Sequence, residues 1–166
     1  MAMAFIHVAL LLLIVLLLVA YFFRKLLMPC IFNAGLKLYN RRMYSRKKRL
    51  FDGLKELKEK RGDGRLVILD VGCGPGTNFQ FFPPGSELIC VDPNRHVETI
   101  VRDVVRNFPE VRVSRFHAGG AEHLRNFVEE ESVDAVVVTC VFCIVNDVVR
   151  SLQEILRVLK TVTDQL

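Results

Sequence analysis

The sequence predicts an α/β fold, a doubly wound parallel sheet preceded by an N-terminal hydrophobic helix. Three observations carry that expectation. The first 23 residues hold no charged side chain. Beyond them, continuous apolar runs alternate with amphipathic stretches, the rhythm of strands and crossover helices in a parallel sheet. The first of those runs, "VILDVG", flows directly into a loop with glycines at positions 72, 74 and 76.

The N-terminal stretch "MAMAFIHVALLLLIVLLLVAYFF" has His7 as its one strongly polar side chain. As a helix it spans roughly 35 Å, enough to cross a hydrocarbon core of about 30 Å. A core helix would show polar interruptions on one face, and an interfacial helix would show a polar face. A cleaved signal peptide would carry basic residues before a shorter apolar core and a small-residue cleavage site. Residues 1–23 are therefore expected to be a membrane anchor. Residues 24–49 hold nine basic residues (Arg24, Lys25, Lys37, Arg41, Arg42, Arg46, Lys47, Lys48 and Arg49) and no acid. The remaining 14 bases face all 18 acids, so the formal +5 divides into +9 here and −4 elsewhere. That split argues against a nucleic-acid-binding domain. It suits a positive-inside flank that keeps the rest of the chain cytosolic, either as a solvated topology signal or as a surface for anionic headgroups. Within the flank, "LLMPCIFN" is a short apolar patch that lies at the interface or turns the anchor into a hairpin at Pro29.

Residues 50–166 carry the globular part. "RLFDGLKELKEK" places Leu50, Phe51, Leu54 and Leu57 at helical spacing, and "RGDG" ends it. "RLVILDVG" is a strand buried on both faces, ending in Asp70. "TNFQFF" opens a short helix with Thr77 or Asn78 near its cap. "SELICVD" is the second strand, ending in Asp92. "RHVETIVRDVVRNFP" is a helix with Val97, Ile100, Val101, Val104 and Val105 inward. "VRVSRFHAG" is the third strand and "VDAVVVTCVFCIV" the fourth. "NDVVRSLQEILRVLK" closes the series as an amphipathic helix.

Five cysteines and a cytosolic setting argue against disulfides. Cys140 and Cys143 form a C-x-x-C without a second pair or a histidine pair at zinc spacing, so they are expected to pack, with no metal site.

Glycines after a strand let the backbone turn tightly and approach a ligand. In open α/β sheets, ligands sit outside the carboxyl ends of the strands, and an acid ending the next strand can accept both hydroxyls of a ribose. Asp92, 22 residues after Asp70, is in that position. The constellation suits a nucleoside-containing cofactor. The dinucleotide fingerprint needs a third glycine where Thr77 stands, so a nicotinamide cofactor is disfavoured.

The spacing G-x-G-x-G behind Asp70, together with "CVDPN", "GGAEHL", "SVDAVVVTCVFC" and "LQEILRVLK", resembles the class I S-adenosylmethionine-dependent methyltransferases, whose fold is Rossmann-like. The stretch "VGCGPGTNFQFFPPGSELICVDPN", with "SRKKRLFDGL" and "VFCIVNDVVRSLQEILRVLK", is similar to methyltransferase-like family 7, membrane-anchored thiol S-methyltransferases. The resemblance covers residues 40–160 in detail and the anchor in kind. It implies S-adenosyl-L-methionine as cofactor, with Gly72, Gly74 and Gly76 around its methionine end and Asp70 supporting the loop or the amino group. It implies Asp92 at the ribose, Ala121 and Glu122 at the adenine, and Thr139 and Cys140 near the sulfonium. Many relatives carry an acid where Gly120 stands. The implied acceptor is a small thiol reacting as thiolate, with His117 and His123 as positional candidates for its base. The implied location is the endoplasmic reticulum membrane and lipid droplets. Members usually continue past "RVLK" with further strands, so this chain is expected to be C-terminally truncated, with an exposed apolar fourth strand that calls for a covering partner and with little turnover. A non-catalytic membrane or lipid-droplet protein is the alternative.

Overall fold

The computed structural model describes residues 2–62 and 64–161. Asp63 and residues 162–166 lie outside the described residues, as do most side chains of Leu26–Asn33. The chain divides into two units, Met1–Ser45 and Arg46–Leu166. Helix α1, Ala2–Arg61, contributes to both.

Among the described residues of the first unit the backbone is helical from Ala2 onward, including Leu26–Asn33. A hairpin turn at Pro29 is therefore not what forms. Phe5–Lys25 is a 21-residue stretch of mean hydropathy 2.9, and none of it is buried. Its length of roughly 32 Å matches a bilayer core. Leaving so many leucines uncovered distinguishes it from the core helix of a soluble domain.

The second unit holds a four-stranded parallel sheet in the order β3-β2-β1-β4, with β1 Leu66–Val71, β2 Ser86–Asp92, β3 Val111–Ala118 and β4 Ala135–Val138. Asp70 pairs with Cys90 on one side and Val137 on the other. Alternating side chains feed two cores, as strands covered on both faces require. Leu66, Ile68, Leu88 and Cys90 pack with Phe51, Phe79, Phe82, Val97 and Val101. Leu69, Val71, Ile89 and Val91 pack on the other face with Leu124, Val133, Ile155 and Val158. Helix α2, Val97–Val104, thus covers one face and α3, Val148–Val158, the other. Asp147 caps α3 by accepting from the Arg150 N–H at 2.9 Å.

Several expectations are corrected. Phe51 is buried and Leu54 and Leu57 pack against the first core, but Leu50 is exposed. Ile100 is 46% exposed, because α2 turns only a narrow stripe inward. The short helix after the glycine loop is a 3-10 turn, Phe79–Phe81, and Asn78 makes no capping bond to it. The fourth strand is four residues long, not thirteen. Cys140 has a positive φ of 58°, which breaks the extended backbone after Val138 and starts the turn through Val141–Val145. Cys140 and Cys143 are exposed rather than packed. Among the described residues, β4 is a sheet edge as expected, and its shortness limits the exposed backbone. Leu159 pairs in parallel with Val133 just before it.

Candidate functional site

Strand order reverses between β1 and β4: β2 and β3 lie to one side of β1, and the chain then returns to its other side. A crevice opens at the carboxyl ends of the strands at such a switch point. Here it is a cleft of about 410 Å³, lined among others by Val71, Gly72, Asp92, Pro93, Gly120, Ala121, Glu122, Thr139 and Cys140. A hollow of about 470 Å³ between Lys55, Lys58, Gly64 and Pro83 is larger but shallower. It lies at the amino ends of the strands and has neither the glycine loop nor the strand-end acids, so it is not the candidate.

The glycine loop is built by close approach. Gly72 has φ +66°, and a Cβ there would lie 2.2 Å from Val141 Cγ2. Gly76, φ +76°, turns its bare Cα toward Phe79, whose ring would meet a Cβ at 2.7 Å. Both bare sides are thus filled by a buried hydrophobic neighbour; of the two, Gly72 borders the cleft. Gly74, φ +50°, presents its N–H to Asp92 Oδ2 at 3.0 Å.

Asp92 thus ties the loop to the end of β2. Its Oδ1 accepts the Asn94 N–H at 2.9 Å. A carboxylate has about four lone-pair positions, so one remains on each oxygen, a pattern that suits a vicinal diol. Glu122 is committed to structure. Its Oε1 accepts the Asn146 N–H at 2.8 Å, clamping the turn after β4 to the loop after β3. Hydrogen bonds from its own N–H, and from those of Asn146 and Asp147, outweigh burial and hold its carboxyl below the usual range. Ala121 is buried beside it. Thr139 and Cys140 also border the cleft.

Asp70 is fully buried under the loop and does not line the cleft. Burial pushes its carboxyl up to about 7, against the opposing pull of Asn78 and Lys47. Its Oδ1 accepts from Asn78 Nδ2 at 3.1 Å, while Oδ2 has no hydrogen-bond partner among the described residues. Asn78 also reaches Thr139 Oγ1 at 3.3 Å and accepts from Lys47 Nζ at 3.1 Å. Sequence reasoning placed Asn78 at a helix cap and Lys47 in the solvated basic flank. Asn78 does stand at the N-cap of the 3-10 turn but makes no capping bond, and Lys47 is not solvated: both side chains are buried.

Of the two candidate bases, His123 lines the cleft and His117 does not. The His117 ring stacks on Phe127 at 5.3 Å, and burial and then Arg115 lower its proton affinity. Cleft residues missed from sequence include Pro93, Val141, Ile144 and Asn146. Pro93 follows directly on Asp92, but the membership of Val141, Ile144 and Asn146 depends on the turn at Cys140, which no local pattern announces. Among the described residues no cluster of side chains suits a metal ion.

Residues 69–162 match the family model of a methyltransferase domain. Thiol S-methyltransferase TMT1A of Homo sapiens is 38% identical over 123 residues, 74% of this chain and 49% of that protein. The chain spans about half the length of the curated relatives it matches. A putative S-adenosyl-L-methionine-dependent methyltransferase from Methanococcus maripaludis shares the fold with a TM-score of 0.54 at 15% identity, over 77% of this chain and 57% of that one. The YcgJ protein of Bacillus subtilis superposes with a TM-score of 0.50 at 27% identity, over 58% of this chain and 40% of its own.

Proposed function

The chain belongs to the methyltransferase-domain family, and from that premise we propose that its cleft binds S-adenosyl-L-methionine for methyl transfer to small alkyl thiols. The observation that carries the reading is the joining of Gly74 N–H to Asp92 Oδ2 at the switch point, which sets a glycine-rich loop beside a strand-end acid with free acceptor positions. The residues fit the cofactor. Gly72 lines the cleft with backbone alone, its Cβ position being taken by Val141, Asp92 keeps acceptor positions for a diol, and Asp70 holds an unsatisfied carboxylate oxygen beneath a site for a cationic amino group.

When bound, the cofactor supplies an already activated sulfonium methyl group. The protein's contribution is then alignment and exclusion of water. Gly72 and Thr139 follow the paired residues Val71 and Val138 and lie side by side at the cleft floor, and Val141, Ile144 and Val145 give the cleft an apolar surface. A thiol of pKa about 8.5 reacts as thiolate, and His123 is the imidazole placed at the cleft to take its proton. The thiol specificity rests on the sequence similarity to TMT1A.

The reading extends to membrane anchorage through Phe5–Lys25, with the basic residues after it on the cytosolic side. Endoplasmic reticulum and lipid droplets follow from the family resemblance. The test is incubation of the full chain, reconstituted in phospholipid nanodiscs, with methyl-labelled S-adenosyl-L-methionine and a short alkyl thiol. A low level of label in the thioether is expected, since the chain spans about half its relatives' length, and it should vanish on Asp92→Ala. Binding of cofactor without labelled thioether would reject thiol methylation and favour a membrane protein that keeps the fold without the reaction.

A further inference from the structure

Lys47 is a buried charge that the proposed reaction leaves unused. Its neighbours Arg46, Lys48 and Arg49 are exposed, as a basic flank should be, yet Lys47 is only 5% exposed. A buried ammonium is retained where it is paired and hydrogen-bonded. Its Nζ donates to Asn78 Oδ1, and Asn78 Nδ2 donates to Asp70 Oδ1, each at 3.1 Å. The same Nδ2 reaches Thr139 Oγ1, on the cleft wall. A cation from α1 is thus relayed through one amide to the penultimate residue of β1, two residues before Gly72.

Asp70 sits where ionisation is finely balanced. Lys47 faces it from α1, and Asn78 from the turn after the glycine loop. Asp92 adds a second negative charge from the end of β2. Cys73 and Cys90 are buried nearby, and the Cys73 thiol is pushed up by Cys90 and by burial, so it stays neutral. Lys47 is the opposing cation in this set, and its own proton affinity is lowered by burial but raised by Cys140 and Asp70.

We propose that Lys47 is a positioning residue for the cofactor cleft: through Asn78 it keeps Asp70 an anion beneath the glycine loop, so that a cationic ligand meets a negative floor. The charge acts across Gly72 rather than by contact, because Asp70 is wholly enclosed. The inference rests on the S-adenosyl-L-methionine reading. It also makes the end of α1 a working part of the binding domain rather than a spacer behind an anchor.

The test is calorimetric titration of the full chain in nanodiscs with S-adenosyl-L-methionine from pH 6 to 9, for wild type, Lys47→Met, Lys47→Arg and Asp70→Asn/Lys47→Met. Wild-type affinity should rise with pH as Asp70 loses its proton. In Lys47→Met the midpoint should move up by about one pH unit, since an opposing charge has been removed, with affinity regained at pH 9. Lys47→Arg should keep the wild-type midpoint. The double variant should bind weakly with no midpoint in this range, and it guards against misfolding because both buried charges are gone. A Lys47→Met midpoint equal to wild type, or uniform weakening at every pH, would overturn the role of Lys47 while leaving the cofactor reading intact. Failure of folded wild type to bind at any pH would overturn both.

Discussion

Gly72→Ala probes the cleft where geometry is tightest. Gly72 sits at φ +66°, and an added Cβ would stand 2.2 Å from Val141 Cγ2. The left-handed backbone costs a non-glycine residue roughly 1–2 kcal/mol. The overlap adds a second cost of about 1–3 kcal/mol, because Val141 is buried and its branched side chain has few other rotamers. The variant should therefore lose roughly 2–5 kcal/mol of stability. The two costs separate in a double-mutant cycle. Val141→Ala removes Cγ2 but leaves Val141 Cβ at 3.5 Å, an ordinary contact. Alone it should cost on the order of 1–2 kcal/mol for lost burial. In the Gly72→Ala background it should cost less or even stabilise, with a coupling of about 1–3 kcal/mol. Denaturant unfolding of the four proteins in one detergent measures this, with cofactor titration alongside. Strict additivity, or a Gly72→Ala protein within about 0.5 kcal/mol of wild type, would refute the close approach.

Three further outcomes follow from the site. Asp70→Asn removes a buried carboxyl whose pKa is pushed up to about 7, so at pH 8 it should stabilise the fold by roughly 2–4 kcal/mol. Because the unfolded chain ionises near pH 4 and the folded one near 7, that gain should fade as pH falls through this window; pH-resolved unfolding checks it, and a pH-independent difference would contradict it. Asp92→Asn keeps an acceptor for the Gly74 N–H and should unfold like wild type, while Asp92→Ala loses about 1 kcal/mol; both should bind S-adenosyl-L-methionine at least tenfold more weakly, by calorimetry. Glu154 is buried and accepts from the Arg125 N–H and from the Arg125 and Arg157 side chains. Burial opposes ionisation, but those bonds prevail and hold its carboxyl below the usual range. Its contribution should be complete above about pH 5 and lost at lower pH, and Glu154→Gln should flatten that acid limb by circular dichroism.

The local part of this design was legible in the sequence. Asp70, the three glycines and Asp92 announce themselves because a strand end, a tight turn and a second strand-end acid are each encoded within a few neighbouring residues. The two-faced sheet was equally plain from unbroken apolar runs such as Leu66–Leu69. What stayed hidden depends on residues far apart in the chain. Nothing in "SRKKRL" marks Lys47 as the one that turns inward, since its burial is decided by Asn78, 31 positions later. The fourth strand was drawn too long because β-branched residues continue past Val138, while the left-handed Cys140 that ends it carries no compositional sign. Nor does the glycine spacing tell which neighbours fill the bare sides, Val141 at Gly72 and Phe79 at Gly76, since both lie outside the loop.

The measurement that bears most directly on the central claim is calorimetric titration of the folded full chain with S-adenosyl-L-methionine and, separately, with NAD. One S-adenosyl-L-methionine should bind per chain, abolished by Asp92→Ala, with no heat from NAD. A folded chain that binds NAD as tightly, or that takes up no S-adenosyl-L-methionine, would contradict the account.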